Sequence, residues 1–378
     1  MSTKKMKVAV AAGLVSTMLA GGVSLVSGGA NAATKKVDWA TVTSAQAAGG
    51  MTALVKAAKK EGHVNVITIP LAGWANYGLI MKDFTKKYGI KINDANPNGS
   101  SAQEITAIQQ DKGRADAPDV VDVGTSYATE NMGLWAPYKV ATWSLIPSAS
   151  KDPNGRWFDD YGGYVAIGCD TKIVTTCPTS FADLTNPAYK NEVAINNDPT
   201  SASAAFYAVW AAAIANGGSY ANIQPGITFF ANLNKIGNFV PGGTAATAAA
   251  GTTPILIWWD YLQNGVASSV PGWKSVIPSD GTIAAYYTQA ITKDAPDPAA
   301  ARLWEEFLYS SLGQNLFLQG YARPIELPGM IANKTVNQGF LAKLPAAPKG
   351  AVTFPTMAQV NTAKATIASN WAAAISGS

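Results

Sequence analysis

Charged residues and histidine are scarce in this sequence. Of the 378 residues 14% are charged and 48% hydrophobic, with 28 Lys and Arg against 24 Asp and Glu, and the one histidine is His63. An average soluble protein has about 25% charged residues. The small net positive charge is too weak to attract the phosphate backbone of a nucleic acid, so no nucleic-acid partner is expected. The length suits two domains of about 100–200 residues each.

Motifs of the common enzyme classes are also missing. The sequence has no G-x-S-x-G, H-E-x-x-H, P-loop or G-x-G-x-x-G pattern. Two adjacent carboxylate pairs, Asp159-Asp160 and Glu305-Glu306, are expected at the solvated surface, in a turn-like segment and on the outer face of a helix. Helical neighbours diverge by about 100°, so the glutamates cannot flank one glycosidic bond. We therefore expect no catalytic residues, no cofactor and no metal ion.

Cysteine is limited to Cys169 and Cys177, eight positions apart in the stretch GCDTKIVTTCP. An oxidising compartment would join them as a disulfide. Closing so short a loop is worth at most about 2.5 kcal/mol in the chain-entropy model. A metal or redox pair is a weaker interpretation, because there is no C-x-x-C and His63 lies far along the chain.

The N-terminal segment predicts export. Residues 1–32 carry three lysines and no acid, followed by an uncharged stretch from Val8 to Val26 and the triplet Ala30-Asn31-Ala32. This pattern is typical of a signal peptide cleaved after Ala32, and its glycines and serines disfavour a membrane anchor. No cysteine follows the apolar run, so no lipid anchor is expected. Removal of the lysines leaves a nearly neutral protein, periplasmic or secreted.

Strands and helices alternate in the first part of the mature chain. Helices are expected from Met51, over 74–88 and from Ser100 or Ser101 to about Lys112, with Ser101 and Glu104 as a capping box; strands are expected over 64–69, 90–94 and 119–124. This order predicts an α/β fold with an open parallel sheet. Ligands bind beyond the carboxyl ends of such strands, which here carry the loops 70–78, 96–101 and 124–128.

The middle of the chain repeats the alternation less clearly. Strands are expected over 164–170, 192–196 and 253–261, and a helix over 201–218. Strand alternation would place Trp258 and Asp260 on one face and Trp259 and Tyr261 on the other. From Pro296 a helix is expected with an apolar face containing Leu303 and Trp304. With no long linker, strand crossovers are expected to join two lobes at a hinge.

Candidate ligand contacts fall into two chemical groups. Aromatic rings beside an acid suit a protonated amine, whereas hydroxyls and backbone donors at helix starts suit an anion. The aromatic and acidic candidates are Trp74, Tyr77, Asp122, Trp258, Trp259, Asp260, Tyr261 and Tyr287. The hydroxyl candidates are Ser100, Ser101, Thr125, Ser126, Thr200 and Ser201. The aromatic residues could equally stack on a sugar or fill the core.

Four segments give the chain a family resemblance. They are LVKAAKKEGHVNVIT near the start, PDVVDVGTS, the run at 179–199, and the segment 286–325 with its S-x-x-x-Q and G-x-x-R-P elements. In these the chain resembles extracellular solute-binding proteins of ABC importers, of the class that binds polyamines, ferric iron and phosphonates.

The resemblance implies a type II periplasmic-binding-protein fold, each lobe a mostly parallel sheet flanked by helices. Lobe one would be 34–137 plus 275–312, and lobe two 138–274 plus 313–378. It also implies that the protein is a monomer and that it is not an enzyme. The two lobes would close on a small solute, which the protein would then pass to membrane permease subunits. Many ferric binders of this class have a pair of tyrosines where this sequence has Trp258-Trp259. The plausible pocket acids are Asp122 and Asp260, fewer carboxylates than polyamine binders usually have.

The ligand class stays open at this point. A small organic amine or polyamine is slightly favoured, and ferric iron or a phosphonate-like anion is the alternative within the same fold. A secreted carbohydrate-acting enzyme and a structural or adhesive surface protein are less favoured classes.

Overall fold

The computed structural model describes residues 37–69, 74–344 and 355–376. The predicted signal peptide, 1–32, lies outside them, as do the first four residues of the predicted loop 70–78. Within these ranges no helix combines the length and apolar character needed to span a bilayer.

Helices and strands alternate over much of the described chain. The helices are α1 (Gly50–Glu61), α2 (Tyr77–Tyr88), α3 (Ser101–Gln110), α4 (Thr125–Glu130), α5 (Ser203–Ala215), α6 (Gln224–Lys235), α7 (Ala245–Ala249), α8 (Asp260–Ser269), α9 (Pro298–Leu308), α10 (Ser311–Gln319), α11 (Leu327–Ala332), α12 (Gln338–Leu341) and α13 (Met357–Ser376). The strands are β1 (His63–Ile67), β2 (Lys91–Ala95), β3 (Val120–Gly124), β4 (Trp135–Ala136), β5 (Phe158–Asp170), β6 (Val193–Asn196), β7 (Phe239–Gly243), β8 (Ile255–Trp259), β9 (Trp273–Val276), β10 (Ala284–Thr292) and β11 (Arg323–Pro324).

The sheets are mixed, although the fold class is the expected α/β. β1 and β2 pair in parallel, and β6 pairs in parallel with both β7 and β8. The larger sheet runs β3-β10-β5-β8-β6-β7, and β10 inserts antiparallel between β3 and β5. The expected parallel order β1, β2, β3 is therefore wrong for β3, which lies outside the sheet of β1 and β2 and pairs antiparallel with β10. The local pattern of strands and helices gives no sign of β10, which comes from far along the chain.

β5 is the longest strand, and every one of its thirteen residues is buried. Its first part pairs with β10 and its second part with β8 and β9. The prediction that Asp159 and Asp160 are solvated is wrong, since both lie in this strand. The Asp159 carboxylate accepts a hydrogen bond from Thr288 Oγ1 (2.7 Å), and the Asp160 carboxylate accepts one from Gln289 Nε2 (2.8 Å).

α9 is buried on all sides, between α1, β1, α2 and α10. The prediction that Glu305 and Glu306 are solvated is therefore also wrong. Glu306 accepts hydrogen bonds from Tyr138 Oη (2.8 Å) and the Ala141 N–H (3.0 Å), whereas neither carboxyl oxygen of Glu305 has a partner. The expected apolar face is present, but the other face is covered as well, by the segment around Tyr138 at Glu306 and by the backbone of Ala40 and Val42 at Arg302.

The predicted Cys169–Cys177 disulfide is present, with the two Cα atoms 5.9 Å apart. Cys169 lies near the end of β5, so the bond attaches the following loop to the central sheet. His63 begins β1, as expected of a residue entering a strand, and its Nε2 lies 3.1 Å from Asp297 Oδ2.

Candidate functional site

A small pocket, with a cavity volume of about 40 Å³, lies beyond the ends of several strands. One wall comes from the β1, α3 and β3 region, and the other from the β6, α5, β8 and α8 region, with one residue from β10. The lining residues are Thr68, Trp74, Gly99, Ser100, Ser101, Glu104, Asp122, Asn196, Asn197, Ala202, Ser203, Ala204, Trp258, Tyr261, Leu262 and Tyr287.

The first wall depends on how α3 begins. Ser100, not Ser101, is its N-cap residue, and the Ser100 N–H donates to Gln103 Oε1 at 2.8 Å. The expected capping box of Ser101 and Glu104 is therefore displaced by one residue. This displacement frees Ser101 Oγ to accept a hydrogen bond from the Gly124 N–H (3.1 Å). Glu104 Oε2 accepts a hydrogen bond from the Asp122 N–H (3.3 Å).

Two buried acids dominate the electrostatics of the first wall. Burial raises the pKa of Asp122 to about 7, and a hydrogen bond from Tyr161 Oη to Asp122 Oδ2 (2.9 Å) partly opposes this. Burial, then the nearby Asp122 charge, raise the pKa of Glu104 well above its ordinary value. Asp122 Oδ1 and the Thr68 hydroxyl are buried without a hydrogen-bond partner. Such groups are costly unless something else binds them.

No basic side chain balances these acids. Among the described residues, no lysine, arginine or histidine lines the pocket. The carboxyl groups of the lining are therefore those of Glu104 and Asp122, whose raised pKa values favour the protonated forms until a cation binds beside them. A cation placed between the walls would be attracted to them in a poorly solvated setting, where charge interactions are stronger than in water.

The second wall presents an uncapped helix and several aromatic rings. α5 begins after Ala202, and no side chain in the described part of the chain caps it. Ser203 and Ala204, in its first turn, line the pocket beside Asn196 and Asn197. The first backbone N–H groups of a helix lack partners within the helix and carry partial positive charge. Trp258 and Tyr261 line the same pocket from β8 and α8.

Half of the sequence candidates line the pocket, and half do not. Those that line it are Trp74, Ser100, Ser101, Asp122, Trp258, Tyr261 and Tyr287. Those outside the lining are Tyr77, Thr125, Ser126, Thr200, Ser201, Trp259 and Asp260.

Asp260 lies outside because its carboxyl group is already occupied. It forms an ion pair with Arg323 of β11 and accepts hydrogen bonds from the N–H groups of Tyr164 and Tyr261, each at 3.0 Å. The expected strand alternation ends at Trp259, because α8 begins at Asp260. As a result Tyr261, one helical step further, lines the pocket with Trp258, and the expected pairing of Trp258 with Asp260 on one face does not occur.

The other candidates outside the lining have structural partners. Tyr77 is buried and its Oη accepts a hydrogen bond from Gln289 Nε2 (2.9 Å), and Thr125 Oγ1 donates to Asp159 Oδ1 (3.2 Å). Trp259 packs on Tyr207, with ring centroids 5.5 Å apart.

Backbone groups of the three remaining hydroxyl residues take part in hydrogen bonds. The Ser126 carbonyl accepts a hydrogen bond from Thr129 Oγ1 (3.0 Å). Thr200 bonds Asp198, and the Ser201 carbonyl accepts from Tyr127 Oη (3.2 Å).

Sequence reasoning missed several lining residues. They are Thr68, Gly99, Glu104, Asn196, Asn197, Ala202, Ser203, Ala204 and Leu262. Asn196 is the last residue of a predicted strand and Asn197 directly follows it, which is a usable signal. Glu104 was assigned to a cap, and only the one-residue shift of the α3 N-terminus brings it to the pocket. Among the described residues no group of three or more His, Cys, Asp or Glu is arranged to hold a metal ion.

This fold, with a pocket at strand ends between two walls, defines the class of type II periplasmic binding proteins. The family model described as bacterial extracellular solute-binding protein matches residues 117–348, which is more than half of the chain. The chain therefore belongs to that family, the solute-capturing components of ABC importers. Membership implies a small-molecule ligand, permease partners and a location outside the cytoplasm.

Solved structures support the fold assignment. The periplasmic binding protein AfuA from Actinobacillus pleuropneumoniae, with fructose-6-phosphate bound, has a TM-score of 0.63 and 18% identity; the match covers 82% of this chain and 99% of AfuA. A ferric binding protein from Campylobacter jejuni has a TM-score of 0.61 and 19% identity, with 82% and 99% covered. AgtB from A. tumefaciens R10, in complex with agropinic acid, has a TM-score of 0.63 and 14% identity, with 83% and 99% covered. Their different ligands leave the ligand of this chain undetermined by fold.

Proposed function

We propose that this protein captures a small organic amine in the pocket and delivers it to the permease subunits of an ABC importer. The single observation that carries the amine assignment is the charge of the lining: Asp122 and Glu104 are its acids, and no basic side chain of the described residues faces them. Trp74 and Trp258 line the same pocket, and aromatic faces attract ammonium groups.

Binding is proposed to work by hinge closure between two lobes. The first lobe would comprise 34–137 and 275–312, and the second 138–274 and 313–378. One refinement follows from packing: α10 contacts α2 and α9, so we place it with the first lobe. β5 pairs with β10 in its first part and with β8 in its second, which suits a strand that crosses between lobes. A ligand contacting both walls would favour the closed form.

We propose that the protein is a monomer and a binding protein, and that it is not an enzyme. A glycoside hydrolase needs two carboxyl groups facing each other across a bond, about 5–9 Å apart. Glu104 and Asp122 instead lie on the same wall, joined through the Asp122 N–H. Mature protein, without residues 1–32, is the form expected in the periplasm or medium.

A thermal-shift screen of the mature protein tests the proposed function. The probes are aliphatic amines, ferric citrate, alkylphosphonates and neutral sugars. An amine at 100 times its dissociation constant should add about 2.7 kcal/mol to the free energy of unfolding. Stabilisation by ferric citrate alone, or by a sugar that the protein then hydrolyses, would contradict the amine-binding function.

A further inference from the structure

Tyr161 of β5 lies behind the first wall of the pocket and binds the acid of that wall. Its side chain is fully buried and is not part of the pocket lining. Its Oη donates a hydrogen bond to Asp122 Oδ2 (2.9 Å), whereas Asp122 Oδ1 is buried without a partner among the described residues. The Asp122 carboxyl group therefore has one oxygen held from behind and one oxygen left for a ligand.

A β-bulge directs the Tyr161 side chain towards Asp122. The pairing of β5 with β10 is irregular at Tyr287, which two residues of β5, Asp160 and Tyr161, oppose. Regular strand alternation would direct these two side chains to opposite faces, yet both contact Tyr77. Bulges change the direction of a side chain and are common beside functional sites.

Four aromatic rings enclose the Tyr161 ring. They are Tyr287, stacked with centroids 5.9 Å apart, Tyr77 and Tyr261, packed edge-on at 5.9 and 5.6 Å, and Phe317 at 4.8 Å. Tyr261 and Tyr287 themselves line the pocket. Packing on this many sides keeps the side chain in one rotamer, and binding groups are best positioned by residues that packing holds in place.

We propose that Tyr161 is a positioning residue for ligand binding, whose hydroxyl holds Asp122 so that Oδ1 of the carboxylate binds the ammonium group of the ligand. This inference rests on the proposed amine-binding function and adds a residue to it. Tyr161 acts through Asp122 and does not touch the ligand. It supplies the hydrogen bond that favours an ionised carboxylate in a buried setting.

The titratable groups that face Asp122 among the described residues are acids and phenols. They come from six elements: Tyr77 (α2), Glu104 (α3), Asp160 and Tyr161 (β5), Tyr261 (α8), Tyr287 (β10) and Glu305 (α9).

Among these groups Tyr161 does most to favour the charged form of Asp122. Burial raises the pKa of Asp122 to about 7, and hydrogen bonding to Tyr161, then to Tyr77, lowers it. Burial, then the Asp122 charge, raise the pKa of Tyr161 well above its ordinary value. The Tyr161 hydroxyl therefore stays protonated and remains a donor while Asp122 titrates.

Carbon NMR of the unliganded protein tests this role. With carbon-labelled aspartate, the Asp122 carboxyl resonance, identified by its absence in Asp122→Asn, should titrate near pH 7 in wild type and about one pH unit higher in Tyr161→Phe. Tyr309→Phe is the matched control, because its buried hydroxyl donates to the Phe158 and Asp159 carbonyls of β5. In this control the midpoint should move by less than about 0.3. An unchanged midpoint in Tyr161→Phe would overturn the role.

A second measurement needs no Tyr161 variant. In wild-type protein labelled at the tyrosine Cζ carbons, the Tyr161 resonance should shift with the same midpoint as the Asp122 carboxyl group, and Asp122→Asn should abolish this shift. A Tyr161 resonance that does not follow Asp122 would contradict the inference even if Tyr161→Phe failed to fold.

Calorimetry with 1-aminobutane and 1,4-diaminobutane connects this role to binding. Tyr161→Phe should bind the amines about tenfold more weakly than wild type at pH 6, and within about threefold at pH 9, where Asp122 is ionised in both proteins. Tyr309→Phe should stay within about threefold of wild type at both pH values. Equal losses for Tyr161→Phe at the two pH values would indicate a general structural defect and overturn the positioning role. If neither amine bound wild type, the amine-binding function would be wrong, while the NMR midpoints would still show whether Tyr161 controls Asp122.

Discussion

Lys364 in α13 and Glu130 in α4 form an ion pair across 234 residues of sequence. The Lys364 Nζ donates to both carboxylate oxygens, at 2.9 and 2.8 Å, and lies 4.0 Å from the centroid of the Tyr127 ring. α13 packs mainly on α6, in the proposed second lobe, whereas α4 follows β3 in the proposed first lobe. In the proposed division the pair therefore links the two lobes, on the side where β3 meets the start of α5.

Removing this link should weaken ligand binding. A partly exposed ion pair and a cation–π contact together contribute about 1 kcal/mol, and under the proposed hinge closure this energy would be lost when the lobes separate. Lys364→Ala should therefore raise the dissociation constant of an amine ligand about fivefold, measured by calorimetry, and should increase the radius of gyration of the unliganded protein in solution scattering.

Lys112→Ala is the matched control for that prediction. Lys112 pairs with Asp294 at 2.9 Å, and both residues belong to the proposed first lobe. An equal loss of affinity in Lys112→Ala would mean that Lys364→Ala weakens binding by changing the net charge of the protein and not by disfavouring closure of the lobes.

The adjacent tryptophans of β8 should respond differently to truncation. Trp258 lines the pocket, so Trp258→Ala should lower affinity for an amine by about tenfold or more. Trp259 is buried against Tyr207, so Trp259→Ala should cost about 3–5 kcal/mol of unfolding free energy. Urea unfolding and calorimetry on the two variants separate these effects, and a large affinity loss in a Trp259→Ala protein of unchanged stability would contradict the assignment.

Affinity for an amine should depend on pH through Asp122. Its pKa is raised to about 7 by burial, and an ammonium ligand favours the ionised carboxylate. As pH falls through about 7, binding must first remove a proton, so the association constant should fall by up to tenfold per pH unit. Calorimetry in two buffers of different ionisation enthalpy should detect proton release near pH 6. Asp122→Asn should abolish this release, and its persistence in that variant would assign the proton to another group.

Stability of the unliganded protein should increase on mild acidification. Burial raises the pKa of Asp159 to about 7 and that of Asp119 to about 8, while the same groups titrate near pH 4 in the unfolded chain. Between pH 4 and 7 the folded state therefore binds more protons, and the unfolding free energy falls as pH rises. The thermal midpoint should be higher at pH 5.5 than at pH 8, and the opposite order would contradict this account.

Glu305 and Glu306, which are neighbours in α9, provide a matched test of whether ionising a buried carboxyl group lowers the stability of the protein. Burial, with the charges of Asp122 and Glu306, raises the pKa of Glu305 well above its ordinary value, and both its oxygens lack partners. Glu305→Gln should therefore preserve or raise the thermal midpoint at pH 8. Glu306→Gln disturbs the bonds from Tyr138 and the Ala141 N–H and should cost about 1–2 kcal/mol. A larger loss in Glu305→Gln would show that Glu305 has a stabilising partner.

The sequence by itself determined the α/β class, the family, the disulfide and the position of most strands. These features depend on local patterns: β-branched runs, helical spacing and the two closely spaced cysteines. Trp74, Asp122 and Trp258, which line the pocket, are among the candidates that the sequence pattern selects, because aromatic or acidic side chains near predicted strand ends can be recognised from the sequence.

The tertiary structure decided which side chains face the pocket. Asp260 is paired by Arg323, 63 residues away, and Tyr77 is covered by Gln289 from β10. Glu104 reaches the pocket only because α3 is capped at Ser100. Local spacing cannot reveal such long-range partners, since a buried polar group is stabilised by whichever group the fold brings beside it. For the same reason the carboxyls of β5 and α9, which local pattern assigned to solvent, are buried in the core.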